Sequence, residues 1–160
     1  MRKLFYLILL FGCSRTNQVN GQNLVGVWQK DSKEFGSASL DCYHFFNDGK
    51  FIYYFDGYDE ANRTLAIKGI YQVKGDGRII FKIVSSIEIE GGTYSKRGST
   101  EHNGWAIIEH KGVKEIKQNS KEVVSSIEKC LDGDDKTPCF IIDDDKFFKI
   151  KDTPEDLFKK

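Results

Sequence analysis

The chain has 160 residues, in which 24 Lys and Arg are balanced by 24 Asp and Glu, with twelve Phe, seven Tyr, two Trp and only two Pro. That length favours one domain, and the aromatic content is that of a folded chain rather than a disordered one. The even charge balance provides no concentrated cationic face, which argues against nucleic acid as a partner.

Arg2 and Lys3 open the chain and are followed by eight apolar residues, 4–11. As a helix that run reaches only about 12 Å, far short of the ~30 Å hydrocarbon core, so it reads as a secretory leader and not as a membrane span. It ends Leu10-Phe11-Gly12-Cys13, which resembles the lipobox of bacterial lipoproteins: an aliphatic residue, a variable one, a small one, then Cys. The resemblance implies that residues 1–12 are a signal peptide and that the Cys13 thiol receives a diacylglyceryl group. It also implies acylation, of the palmitate type, at the new amine. Phe11 is bulkier than the residues usual at its position, and the alternative is an ordinary leader cleaved further on, with Cys13 incidental. Several buried acyl chains, at ~0.8 kcal/mol per methylene, would make such an anchor stable. Without Arg2 and Lys3 the mature chain keeps 22 basic groups against its 24 acidic ones. Residues 13–23 then form the lipidated Cys and a polar tether, spanning roughly 15–20 Å as a flexible coil. Ser14, in place of an acid after the Cys, implies by resemblance to lipoprotein sorting an outer-membrane anchor with the domain facing the periplasm.

From residue 24 onward, short apolar stretches alternate with turn residues, as β-strands do. Strand signals cover residues 24–30, 40–46, 50–56, 65–74 and 78–89, with a weaker one over 93–98. Asn47-Asp48-Gly49 and Gly75-Asp76-Gly77 stand between apolar runs, a strong hairpin signal. Gly91-Gly92, Lys111-Gly112 and Asn119-Ser120 are read as further breaks, separating strands at 104–111, 113–118 and 121–131. Strands at 138–143 and 146–151 follow, joined by Asp143-Asp144-Asp145. The β domain spans 24–152, and residues 153–160 form a tail in which Thr153 and Pro154 suit a short helical turn. Alternation puts Ile79, Phe81, Ile83, Ile87 and Ile89 on one face, against Arg78, Lys82 and Glu88 on the other. Leu65, Ile67, Tyr71 and Val73 likewise oppose Lys68, Gln72 and Lys74. A sheet dry on one face must curl or pair, and a long hairpin meander does so by closing on itself.

The first strand reads Asn23-Leu24-Val25-Gly26-Val27-Trp28, and its Gly-x-Trp resembles the signature of the lipocalin and wider calycin families. It is similar in particular to the short lipocalin-like domains of bacterial lipoproteins. Those domains continue much as Phe46-Asn47-Asp48-Gly49-Lys50-Phe51 and Gly69-Ile70-Tyr71 do here. The fold expected is therefore all-β: an antiparallel up-and-down meander of about 8–10 strands, closed into a lipocalin-like barrel. In it Trp28 plugs the closed end and Gly26 lets backbone pass close by. The chain departs from lipocalins proper in having no room for a C-terminal helix after its last strand.

Of the three cysteines beyond the leader, Cys130 and Cys139 flank a segment of turn residues, so antiparallel strands on either side would let them form a disulfide. Cys42 is left over as a small buried hydrophobe. His44, His102 and His110 lack metal-ligand spacing, and Asp132-Gly133-Asp134-Asp135 lacks the remaining ligands of a calcium loop. No Gly-x-Ser-x-Gly occurs. The chain is accordingly read as no enzyme, with no catalytic residues, metal or cofactor. What remains is the barrel interior, lined by Phe51, Tyr53, Phe55, Tyr71, Phe81 and Ile83, with Trp105 on the same side. These suit either a small, partly apolar ligand or plain core packing. The first implies a membrane-anchored binding protein. The alternative is an envelope interaction or structural lipoprotein with a solid barrel and an envelope protein as partner.

Overall fold

The computed structural model describes residues 19–33, 40–96, 104–130 and 137–159; the leader, Cys13, His102 and the acidic run from Asp132 to Asp135 lie outside the described residues. One turn of helix, α1 (Gly21–Leu24), leads into β1 (Gly26–Lys30), β2 (Cys42–Phe45), β3 (Lys50–Tyr54) and β4 (Thr64–Lys74). Then come β5 (Arg78–Lys96), β6 (Trp105–Lys129), β7 (Cys139–Ile142) and β8 (Asp145–Lys151). Each strand pairs antiparallel with the next, and β8 returns to β1, from Lys151 opposite Val27 to Phe147 opposite Lys30. The sheet is a closed barrel of eight strands among the described residues.

Closure brings two backbones close together. Gly26 has φ +134°, and a Cβ there would stand 2.6 Å from the Lys151 carbonyl oxygen and 2.7 Å from Lys149 Cε. Trp28 faces inward and is only 3% exposed. Its Nε1–H donates to the Leu24 carbonyl at 2.6 Å, its ring lies 4.2 Å from that of Phe140, and Lys149 Nζ sits 5.7 Å over its face. Leu24 and Val19 are buried in the same core, so the packed chain begins ahead of the expected start at Leu24.

Inside the barrel, Trp28, Phe45, Phe51, Phe81, Phe140 and Phe147 form one cluster with Ile79 and Ile127. Each side chain of this size contributes roughly 1.5–3 kcal/mol by leaving water. The Cys130–Cys139 disulfide joins the end of β6 to the start of β7, with Cα atoms 5.5 Å apart, and the Cys130 N–H donates to the Cys139 carbonyl. The β7–β8 turn places Asp143 and Asp144 at φ 46° and 74°, a conformation Asp tolerates. The Asp143 carboxylate accepts from the Ser126 N–H at 2.8 Å, which ties this turn to β6.

Three expectations need correction. Gly91-Gly92, Lys111-Gly112 and Asn119-Ser120 do not break strands: β5 and β6 run on through them for 19 and 25 residues. Register shifts between Ile83 and Ser85 and between Ile89 and Gly91 absorb the surplus residues as bulges. The bulge after Ile83 also reverses the phase of β5. Ile79, Phe81 and Ile83 pack in the barrel, but Ile87 belongs to a second cluster with Ile52, Tyr54 and Ala66 on the outer face. Leu65, beside a bulge in β4, packs there too. Finally, residues 153–159 form no helix and instead run as a strap across that outer cluster, where Phe158 stacks on Tyr54 at 5.8 Å.

Trp28→Ala should destabilise the protein by roughly 3–5 kcal/mol in denaturant melts, and a change below about 1 kcal/mol would place Trp28 outside the core. Reducing the disulfide should remove about 2–3 kcal/mol, read as a lower unfolding midpoint in Cys130→Ser/Cys139→Ser than in the parent.

Candidate functional site

Phe51 and Phe81, expected to line a ligand cavity, are core residues with ring centroids 4.9 Å apart. Tyr53, Tyr71 and Ile83 are half-buried and pack against the same cluster. Phe55 lies just past β3 and meets the Tyr53 ring edge-on at 5.1 Å. The Tyr71 hydroxyl is within reach of two carbonyls, Gly21 at 3.2 Å and Phe46 at 3.3 Å, so the protein itself supplies its acceptor. The Tyr53 hydroxyl meets the Asp41 carboxylate, and burial raises its pKa first, with the Asp41 charge adding to the effect.

Tyr43 is the residue that the reading of the strands passed over. Its ring lies 4.5–6.3 Å from those of Phe45, Phe51, Tyr53, Phe81 and Phe147, at the centre of the barrel. Its alternation with Phe45 along β2 was the available signal.

Trp105 does not line the barrel. It stands at the far end of the β5–β6 ribbon, opposite Lys96, and is 56% exposed. An unbroken β6 carries it well past the barrel rim, since strands advance about 3.3 Å per residue. The ribbon bends at Gly91-Gly92, where φ is 70° and 82° and a Cβ on Gly92 would strike Ile107 Cγ2 at 2.6 Å. Arg63 holds the bend by donating from Nη1 to the Ile89 and Gly91 carbonyls at 3.0 and 2.6 Å. The Ile107 N–H donates to the Glu60 carbonyl at 3.0 Å, which docks the outer ribbon on the β3–β4 loop. The pairs Tyr94–Ile107 and Lys96–Trp105 share one face, so Tyr94, 53% exposed, and Trp105 point the same way. Tyr58 on the same loop is 69% exposed.

The second feature is the outer face of β2 under the strap. Cys42 and His44 alternate outward there, and burial pushes the Cys42 thiol up to about 12, which leaves it a poor nucleophile. His44 is 6% exposed, and its Nδ1 lies 2.6 Å from the Glu155 carbonyl oxygen. The Glu155 N–H lies 3.3 Å from the same nitrogen, but a carbonyl only accepts, so the much shorter contact places the proton on Nδ1. The strap is further held by the Lys68–Asp156 pair at 2.8 Å, by Lys151 against Glu155, and by the Leu157 N–H donating to the Tyr54 hydroxyl at 2.9 Å. Among the described residues, no three His, Cys, Asp or Glu side chains converge as metal ligands would.

Burial holds the His44 pKa below its ordinary value of 6.5, against a smaller opposing effect of the Glu155 carbonyl. A released or unfolded chain therefore takes up the proton more readily, and strap docking weakens as pH falls below about 6.5 but is unaffected above it. The Glu155 carboxylate, held low by Lys151, loses its contribution only further down, in the carboxylate range. Hydrogen-exchange protection of the Leu157 amide should thus fall as pH drops below about 6.5, and His44→Gln should flatten that dependence. Protection that holds constant below that pH would detach His44 from the strap.

Comparisons with protein-family models, with curated proteins and with solved structures return no match.

Proposed function

We propose that this chain is a membrane-anchored lipoprotein of the lipocalin-like kind whose filled barrel serves as a rigid stand for an interaction surface. The carrying observation is a contrast between inside and outside. Aromatic rings occupy the barrel centre at contact distances, with Tyr43, Phe51 and Phe81 between 4.9 and 6.3 Å of one another. Tyr58, Tyr94 and Trp105 meanwhile leave more than half of their surface in solvent. Large aromatic side chains exposed near one another are more common at interaction sites than elsewhere on a surface. The docked, bent ribbon holds two of them in place before a partner arrives, which lowers the ordering cost of association. An envelope protein is the partner class that fits a domain carried on a lipidated Cys13. The small-ligand reading has less support, because Phe51, Tyr53, Tyr71, Phe81 and Ile83 pack in one cluster of the barrel core and Trp105 lies outside it.

Two experiments test this reading. Cys13→Ser should abolish incorporation of labelled fatty acid, and continued incorporation would remove the anchor. A photo-crosslinking residue at position 105 or 94, in intact envelopes, should give a discrete crosslinked protein, while one at position 53 should give none. Crosslinks from position 53 alone, together with a small molecule retained in native mass spectra, would restore the container reading.

A further inference from the structure

Between the outer face of β1, β2 and β8 and the C-terminal strap lies a cleft of about 270 Å³. Val27, Leu40, Cys42 and Ile150 give it apolar walls, His44 stands in the wall on β2, and Leu157 forms a lip on the strap. We propose that this cleft is a binding site for a small, neutral, mostly apolar molecule that carries one hydrogen-bond donor.

Size comes first. At the ~30 Å³ that a water molecule occupies in the liquid, the cleft has the volume of roughly nine waters, room for a molecule as small as a bicyclic aromatic. The charge at its edge cancels, because Lys151 and Glu155 both line the cleft and pair with each other. An ionic ligand would have to break that pair, whereas a neutral one would not. The need for a donor follows from the His44 tautomer. With Nδ1–H engaged by the Glu155 carbonyl, the neutral ring presents Nε2 as an acceptor, and a ligand N–H or O–H is its complement. Leu157 supplies the closing element. Its backbone N–H is fixed on the Tyr54 hydroxyl, yet the residue is 65% exposed. An apolar side chain held at the lip by its backbone gains burial when the cleft fills. The site lies outside the barrel and shares no lining residue with the ribbon end, so it is a different surface from the one proposed for a partner.

Indole and its carbon isostere indene, which lacks the N–H, are the probes. Titrated into the intact domain, indole should shift the methyl signals of Val27, Leu40, Ile150 and Leu157 and bind at least tenfold more tightly than indene. His44→Phe should erase that preference while indene still binds. Leu40→Trp, which fills the cleft without touching His44, should abolish the binding of both. Equal affinity of the wild-type protein for the two probes would overturn the donor requirement. Shifts confined to the inward-facing Ile83 and Val123, or none at millimolar indole, would overturn the site itself.

Discussion

Everything in this barrel depends on the crossing at which β8 closes against β1. Gly26 lets the Lys151 backbone approach to a distance no Cβ would allow, and that approach sets the register of the seam. Trp28 then turns inward, caps its indole N–H on Leu24 and lays its ring on Phe140. Sealing the sheet thus brings strands from both ends of the chain around one aromatic cluster. An eight-stranded barrel is just wide enough for side chains to fill, and here a series of rings centred on Tyr43 takes up that width.

The bulges explain why one sheet carries two cores. A regular β5 would keep Ile83 and Ile87 on the same face. The extra residue between Ile83 and Ser85 reverses the phase, so Ile87 joins Ile52, Tyr54 and Ala66 outside the barrel. An apolar patch on the outside must be covered, and the strap does this with Phe158 and a set of polar ties to His44, Tyr54 and Lys68. A second bulge, at Gly91, tips the far ribbon onto the β3–β4 loop and leaves Tyr94 and Trp105 in solvent.

These features bear on function in one direction. In the proposed reading, a barrel centred on its own rings acts through its surfaces. Two of them differ in chemistry: an exposed aromatic face on a prearranged ribbon, and a small neutral cleft under a strap that is held largely by polar contacts. In the proposed reading a lipid on Cys13 keeps both close to a membrane.

How far the sequence reached follows from which signals are local. Hairpins at Asn47-Asp48-Gly49 and Gly75-Asp76-Gly77, the antiparallel meander and the Cys130–Cys139 bridge were legible, because turn chemistry and period-two alternation need only neighbouring residues. The candidate lining residues were mostly placed on the correct face, yet alternation could not say whether that face encloses space or other rings. Strand ends at Gly91, Gly112 and Asn119 were misread for a related reason. Whether a glycine ends a strand or bulges within it is decided by the partner strand, which supplies or withholds the next hydrogen bonds. The sequence by itself determined the β class and the hairpin order, and offered the disulfide that the structure contains. Only the tertiary structure decided that aromatic rings pack on one another inside the barrel, that Trp105 lies outside it and that the tail covers a second core, since each of these depends on contacts between residues far apart in the chain.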